Sequence, residues 1–160
     1  MKDLTITAII KVYQYDELNE ADQSLMKTAM EATARSYAPY SHFSVGAAAL
    51  LNDGTIVTGT NQENAAYPSG LCAERTTLFY ANSQYPDQPI KTLAIAARTE
   101  KDFIEKPIPP CGACRQGILE TEKRYGQPIR ILLYGKECIY EVKSIGDLLP
   151  LSFDASAMEE

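Results

Sequence analysis

The chain has 160 residues, 45% of them apolar, and a formal net charge of −6. This length suits one domain with a sizeable core, so we expect a single domain over residues 1–160. The acidic charge without a Lys/Arg run argues against a nucleic-acid partner. The sequence has neither the roughly 18 consecutive apolar residues of a membrane span nor a signal-peptide pattern, and we expect a cytoplasmic protein without a membrane partner.

The predicted elements begin with an ambiguous segment. Residues 1–17 form either a short strand or an arm and stay an unassigned N-terminal extension. Apolar residues at helical spacing predict a helix from an N-cap at Asn19 through Tyr37, ending before Pro39. Asp53-Gly54 predicts the tight turn of a β-hairpin. The other predicted elements are strands over 43–51, 55–61, 90–98, 129–135 and 138–144, and helices over 70–82, 111–125 and 144–149.

This alternation of helices and strands predicts an α/β fold. The segments 90–98 and 129–135 are almost wholly apolar, which is typical of strands that are covered on both faces. We therefore expect a mixed β-sheet of about five strands with helices on both faces, an α-β-α sandwich.

Three cysteines stand at the starts of predicted helices. Cys111 and Cys114 open the helix 111–125, and Cys72 opens the helix 70–82. If both helix ends meet at one end of the sheet, three thiolates converge on one cation. Zinc prefers sulfur and nitrogen ligands in a tetrahedron, and three protein ligands leave the fourth position for water. This pattern predicts a catalytic zinc site.

Two other interpretations remain open at this point. A structural zinc module needs a fourth ligand, and only Cys138 and His42 are available for it. We expect Cys138 to be a free thiol in an edge strand and His42 to be a loop residue. A dithiol oxidoreductase would use the pair Cys111 and Cys114 without Cys72.

Glu74 and Arg75 share the first helical turn with Cys72. Side chains in a first turn reach past the helix end, because Cα–Cβ bonds tilt toward the N-terminus. Cys72 and Glu74 can therefore both face a metal beyond that end. Arg75 would offset the excess negative charge of a three-thiolate zinc site. The simpler alternatives are a first-turn acid favoured by the helix dipole and a surface arginine.

These residues resemble the zinc-dependent cytidine deaminases. The family pattern is [HC]-A-E followed by P-C-x-x-C, and the chain has Cys72-Ala73-Glu74 and then Pro110-Cys111-Gly112-Ala113-Cys114. The similarity extends from about Met26 to Phe153 and includes "SHFSVGAAALL" and "LLPLSF". A cysteine at position 72 instead of histidine resembles the small homotetrameric branch that acts on free nucleosides.

The resemblance implies hydrolytic deamination of cytidine and 2′-deoxycytidine to uridine and 2′-deoxyuridine, with release of ammonia, in pyrimidine salvage. It implies one zinc per chain, bound by Cys72, Cys111 and Cys114, which activates the water that attacks C4. Glu74 would shuttle protons. Deamination of another amino-heterocycle is the alternative that shares this zinc site.

The resemblance also implies a substrate-binding set. Asn61 and Glu63 would hydrogen-bond the ribose, Phe43 would flank the nucleoside, and Ala73 would contact the base. Phe153, on the C-terminal tail, would reach the site of a neighbouring subunit in a homotetramer. The plain alternative for Asn61 and Glu63 is polar turn chemistry at a strand end.

Overall fold

The computed structural model describes residues 1–158 and contains one mixed six-stranded sheet. The strand order is β1-β6-β5-β4-β2-β3. Only β4 and β5 run parallel, and every other neighbouring pair is antiparallel. The strands are β1 (Lys11–Tyr13), β2 (Ser44–Leu51), β3 (Ile56–Thr60), β4 (Ile90–Arg98), β5 (Arg130–Tyr134) and β6 (Ile139–Val142), and the helices are α1 (Glu20–Ala32), α2 (Ala73–Gln84) and α3 (Gly112–Tyr125).

Helices cover both faces of the sheet, as the sequence predicts. Side chains alternate across a strand, so Ala47 and Ala49 face the core shared with α2 and α3, whereas Ala48 faces the core shared with α1. All three alanines are fully buried. The predicted α-β-α sandwich is confirmed, with α1 alone on one face.

The sixth strand comes from the N-terminal extension. Lys11–Tyr13 form β1, which pairs antiparallel with β6 and adds a strand to the five that were expected. Lys11 also forms an ion pair with Glu141 at 3.4 Å. The prediction that Cys138 lies in an edge strand is wrong, because Cys138 precedes β6 and β1 covers the outer edge of β6.

A partly buried ionic cluster ties α1 to the sheet. Nη1 of Arg130 donates to Asp22 Oδ2 at 2.9 Å and to Glu141 Oε2 at 3.0 Å. Both carboxylate residues are more than nine-tenths buried. The hydrogen bonds that Arg130 donates to Asp22 and its ion pair with Glu141 raise the pKa of Arg130 against the opposing effect of burial. Arg130 therefore supplies a cationic partner to the buried Asp22 carboxylate and shares the Glu141 carboxylate with Lys11.

Two predicted helices are shorter than expected. The Asn19 side chain accepts from the Asp22 N–H at 2.9 Å, which confirms the N-cap. The helix α1 nevertheless ends at Ala32 and continues only as a 3-10 turn to residue 35, so Tyr37 lies outside it and pairs with Gln62 in an isolated bridge. Ser36 is already extended, because the chain must turn into β2. The segment 144–149 likewise contains only a 3-10 turn over 145–147.

Close packing of α2 on β3 fixes the position of the α2 N-terminus. A Cβ at Gly59 would lie 2.8 Å from the backbone nitrogen of Thr77, so only glycine permits this approach. The longest described helix, α3, has 14 residues, which is fewer than the roughly 18 that a membrane span requires.

Candidate active site

The three predicted cysteine ligands converge at one end of the sheet. Cys72 is the N-cap of α2, and Cys111 is the N-cap of α3. Cys72 Sγ lies 3.7 Å from Cys111 Sγ, and Cys111 Sγ lies 3.4 Å from Cys114 Sγ. All three sulfur atoms lie within 4.8 Å of one another. The structure therefore brings together residues that are far apart in the sequence.

This cluster fits a zinc ion. A tetrahedral site with Zn–S bonds of about 2.3 Å places its sulfur atoms about 3.8 Å apart, close to the observed separations. The hydrogen bond with Cys114 and the nearby Arg75 lower the pKa of Cys72 to about 5, which favours a thiolate at Cys72. The same contact, together with burial, raises the pKa of Cys114, so a metal would have to displace the proton of Cys114 on binding. Within residues 1–158 the cluster contains three ligands, so one tetrahedral position remains for a non-protein ligand.

Glu74 lies in the first turn of α2 and is 5% exposed. Burial raises the pKa of its carboxyl group, and the neighbouring Cys72 charge adds to this rise. A carboxyl group whose pKa is raised binds a proton more readily than an exposed carboxylate, as a group that accepts and returns a proton must. A solvent-exposed first-turn acid would show neither feature, so the simple helix-dipole interpretation is insufficient.

Arg75 lies between the sulfur cluster and the groove that separates α2 from α3. Burial opposes its charge, but the neighbouring Cys72 and Cys114 sulfur atoms raise the pKa of the guanidinium above its ordinary value. Its Nε is buried without a hydrogen-bond partner among the described residues. Arg75 thus places a positive charge next to the cysteine sulfur atoms, although its Nε forms no hydrogen bond with a described residue.

A cavity of about 540 Å³ opens beside Cys72 and Arg75. This volume lies in the range of small-molecule sites. Asn61 and Glu63 line the cavity, as expected for substrate-binding residues. Further lining residues lie in the loop before β2 and in the segment between β3 and α2, where substrate-binding roles within the cavity were predicted only for Asn61 and Glu63: Tyr40, Ser41, Gln62, Asn64, Tyr67, Gly70 and Leu71.

The Asn61 side chain is fixed by three hydrogen bonds. Its Oδ1 accepts from Ser36 Oγ at 2.6 Å and from the Val45 N–H at 2.8 Å. Its Nδ2 donates to the Phe43 carbonyl at 2.8 Å. This geometry leaves one amide N–H for a ligand.

Glu63 is bound to the loop that precedes β2. Its Oε2 accepts from the N–H groups of Tyr40 at 2.9 Å and Ser41 at 3.2 Å, and its Oε1 accepts from the Ser41 hydroxyl. The Ser41 hydrogen bond is the main reason that the pKa of Glu63 is lowered. The carboxylate stays charged and faces the cavity.

The other three residues predicted to contact the substrate lie in different surroundings. Ala73 is fully buried at the start of α2. Phe43 is half-buried in the loop before β2 but is not a lining residue of the cavity. Phe153 is 62% exposed and also lies outside this cavity of its own chain.

Cys138 and His42 lie outside the sulfur cluster. His42 is in the loop before β2, as expected, with a positive φ of 55° and its Nδ1 3.1 Å from Glu100 Oε1. Neither residue provides a fourth protein ligand, which argues against a closed structural site.

Comparison with known protein families shows to which family this chain belongs. Residues 19–125 match the family described as the cytidine and deoxycytidylate deaminase zinc-binding region. The chain belongs to this family. The matched region of this deaminase contains all three clustered cysteines together with Glu74.

Curated relatives support the same assignment. A cytidine deaminase of Halalkalibacterium halodurans is 38% identical over 138 residues, which cover 86% of this chain and 98% of that protein. A cytidine deaminase of Mycobacterium tuberculosis is 36% identical over 138 residues, which cover 84% and 91%.

Solved structures of this deaminase family share the fold. The crystal structure of cytidine deaminase from Burkholderia pseudomallei has a TM-score of 0.70 at 38% identity and covers 85% of this chain and 100% of that one. The Mycobacterium tuberculosis enzyme has a TM-score of 0.65 at 33% identity, covering 85% and 99%.

Proposed function

We propose that this protein is a zinc-dependent cytidine deaminase, which hydrolyses cytidine and 2′-deoxycytidine to the uridine nucleosides and ammonia. The observation that carries the proposal is the convergence of Cys72, Cys111 and Cys114 next to the buried carboxyl group of Glu74. The family match and the curated cytidine deaminases support this choice of reaction. The products would enter pyrimidine salvage.

One zinc ion per chain would be bound by Cys72, Cys111 and Cys114. When bound, zinc supplies a water of lowered pKa as the nucleophile. Glu74 accepts a proton from the nucleophile and delivers it to N3 of the cytosine ring, which makes C4 more electrophilic. Once the nucleophile's oxygen is bonded to C4, Glu74 would take the second proton from that hydroxyl group and carry it to the amino group, so that the C4–N bond breaks, ammonia leaves and the C4 carbonyl forms. The upward direction of the Glu74 pKa shift suits this shuttle, because a carboxylate that binds a proton more readily is the stronger base.

Arg75 moderates the charge of the same site. Three thiolates give the metal a net negative environment, which makes its water less acidic than at a neutral three-histidine site. The positive charge of Arg75 and the N-termini of α2 and α3 oppose this effect. The role proposed for Arg75 is therefore to keep the nucleophile easy to deprotonate.

The cavity beside the cluster would hold the nucleoside. Asn61 and Glu63 would bind the ribose hydroxyl groups, Phe43 would flank the nucleoside, and Ala73 would contact the base at the start of α2. Two observations support this placement: Asn61 and Glu63 line the cavity, and both are fixed by hydrogen bonds before any ligand arrives. Such preorganisation lowers the entropy cost of binding.

The assembly proposed is a homotetramer in which Phe153 of one subunit completes the site of another. The backbone carbonyl of Phe153 accepts from Nε2 of Gln116 at 2.9 Å, and Asp154 forms a 2.8 Å ion pair with Lys123. These contacts attach the tail to α3, yet the Phe153 ring stays 62% exposed. An aromatic ring presented in this way fits a contact with another chain.

The site is proposed to belong to a single domain over residues 1–160 that works in the cytoplasm. The six described strands belong to one sheet, which supports the single domain. The four cysteines are unpaired, as is usual in a reducing compartment.

Ammonia release from a panel of amino-heterocycles tests this function. The zinc-loaded protein is incubated with cytidine, 2′-deoxycytidine, cytosine, CMP and adenosine. We expect turnover of the two cytosine nucleosides, its loss with a chelator and its return with zinc. Turnover of adenosine alone would favour deamination of another heterocycle, and a stably bound metal without turnover of any substrate would favour a structural zinc module.

A further inference from the structure

The backbone of Phe43 is held at both ends by the residues proposed to bind ribose. The Phe43 N–H donates to the Ser41 hydroxyl oxygen at 3.1 Å, and that hydroxyl donates to Oε1 of Glu63. The Phe43 carbonyl accepts from Nδ2 of Asn61 at 2.8 Å. Asn61 thus contacts the Phe43 backbone through one hydrogen bond. Glu63 is linked to the same backbone through two hydrogen bonds, by way of Ser41.

We propose that Ser41 is a positioning residue for nucleoside recognition. Its hydroxyl couples the Glu63 carboxylate to the Phe43 backbone, so that a sugar bound at Glu63 also fixes the aromatic residue that flanks the nucleoside. This inference rests on the proposed function, because it assigns a new role within the same substrate site.

Asn61 and Glu63 differ in how much hydrogen-bonding capacity each retains for a ligand. Asn61 Oδ1 already accepts two hydrogen bonds, from Ser36 and Val45, and Nδ2 uses one of its two protons on Phe43. Asn61 is therefore a fixed anchor. Glu63 Oε1 accepts only from the Ser41 hydroxyl within residues 1–158 and retains capacity for a sugar hydroxyl.

The loop around Ser41 depends on these hydrogen bonds. The next residue, His42, adopts the left-handed conformation at φ 55°, which costs energy for a residue other than glycine. The Glu63 carboxylate holds the loop through two backbone N–H groups and the Ser41 hydroxyl. Removal of the hydroxyl leaves both backbone contacts, so the loop remains attached while the link to Phe43 is lost. Hydrogen bonds to a charged acceptor are the strong ones, so this loss should be measurable.

Steady-state kinetics of Ser41 variants provide the first test. For Ser41→Ala we expect KM for cytidine to rise about tenfold, which corresponds to about 1.4 kcal/mol, and kcat to stay within about twofold. Ser41→Thr keeps the hydroxyl at an exposed position and should restore KM to near the wild-type value. Ser24→Ala, an exposed serine on α1, serves as the matched control and should change neither constant.

Two comparisons separate positioning from a general structural effect. With 2′,3′-dideoxycytidine, as substrate or as competitive inhibitor, the Ser41→Ala penalty should fall below about threefold, because no sugar hydroxyl engages Glu63. In a Glu63→Ala background, Ser41→Ala should add less than about twofold, since its partner is already absent. If Ser41→Ala fails to fold, Ser41→Cys gives the same comparisons with a much weaker donor.

Equal penalties on cytidine and the dideoxy analogue, or fully additive effects with Glu63→Ala, would overturn the proposal. Failure of the proposed function has a different signature: wild-type protein would then release no ammonia from cytidine, whatever residue stands at position 41.

Discussion

The sulfur atoms of Cys72 and Cys111 lie 3.7 Å apart, although these residues cap two different helices and are separated by 39 positions in the sequence. The α2 N-terminus follows β3 and the α3 N-terminus follows β4, and both emerge at the same end of the sheet. Since each helix N-terminus carries about half a positive charge, both stabilise thiolates there.

Zinc content should depend on the three clustered cysteines. Replacement of Cys72, Cys111 or Cys114 with alanine should abolish stoichiometric zinc and lower the melting temperature, because metal binding is coupled to folding. Elemental analysis of purified protein measures the first effect. Cys138→Ala is the matched control and should retain one zinc per chain, because Cys138 lies outside the cluster. Full zinc in Cys72→Ala would refute the ligand assignment.

Glu74→Gln should retain zinc and the melting temperature but lose turnover. Glutamine matches the shape of glutamate but cannot accept a proton from the nucleophile, so we expect kcat to fall by at least about 10²–10⁴-fold. Glu20→Gln, which changes a first-turn acid of α1, controls for the helix-dipole effect and should remain fully active. Activity of Glu74→Gln within a few-fold of wild type would leave Glu74 as a structural acid only.

Arg75→Gln should shift the pH dependence of the reaction. The positive charge of Arg75 favours deprotonation of the nucleophilic water, so its removal raises the pKa of that water. The acidic limb of the pH–rate profile should therefore move to higher pH by about one unit, the equivalent of about 1.4 kcal/mol. Arg124→Gln, an exposed arginine of α3, is the control. An unchanged profile would contradict the electrostatic role.

Phe153 should act between subunits. Stacking on an aromatic ring is worth about 1–3 kcal/mol per base, so Phe153→Ala should raise KM for cytidine at least about tenfold. The nearby exposed Leu151 gives the control variant Leu151→Ala, which should leave KM unchanged.

Subunit mixing tests the same contact directly. Hybrids of inactive Glu74→Gln subunits and impaired Phe153→Ala subunits should be more active than either parent, because some sites then have both residues intact. A chain that sediments as a monomer at assay concentration and is fully active would rule out the composite site.

The ionic cluster at Arg130 should matter for stability. Arg130→Met keeps most of the packing but leaves the buried carboxylate of Asp22 without its cationic partner, while Glu141 keeps its ion pair with Lys11, so we expect the free energy of unfolding to fall by about 3 kcal/mol. Lys136 provides a matched control, because it also bridges two acids, Asp102 and Glu105, but at the surface. Lys136→Met should give nearly the wild-type urea midpoint. Equal losses of stability in Arg130→Met and Lys136→Met would show that burial of the acids does not determine the size of the loss.

The sequence was sufficient for features that depend on neighbouring residues. Asn19 precedes an apolar helical stripe and caps α1, and Asp53-Gly54 joins β2 to β3 as expected. The helix predicted over 111–125 is observed as Gly112–Tyr125, and the helix predicted over 70–82 is observed two to three residues later, as Ala73–Gln84. Both helices follow from apolar periodicity, which is a property of contiguous residues.

The end of α1 and the position of β1 could not be predicted from neighbouring residues alone. The stripe through Tyr37 predicted a longer α1, but the chain has to leave the helix after residue 35 to enter β2. The sequence left residues 1–17 open between a short strand and an arm, and only the pairing of Lys11–Tyr13 with β6 decides for a strand. In both cases tertiary contacts, rather than the local pattern, decide the outcome.

The sequence by itself predicted which groups would carry the chemistry, namely the thiols, Glu74 and Arg75, because residue types, helical positions and a family motif can be read from contiguous residues. Only the tertiary structure decided how Ser41, Phe43 and Glu63 interlock. Those hydrogen bonds join a loop before β2 to a segment after β3, about twenty residues away. Such contacts depend on the register between β2 and β3 and on the turn at His42, which periodicity and composition do not encode.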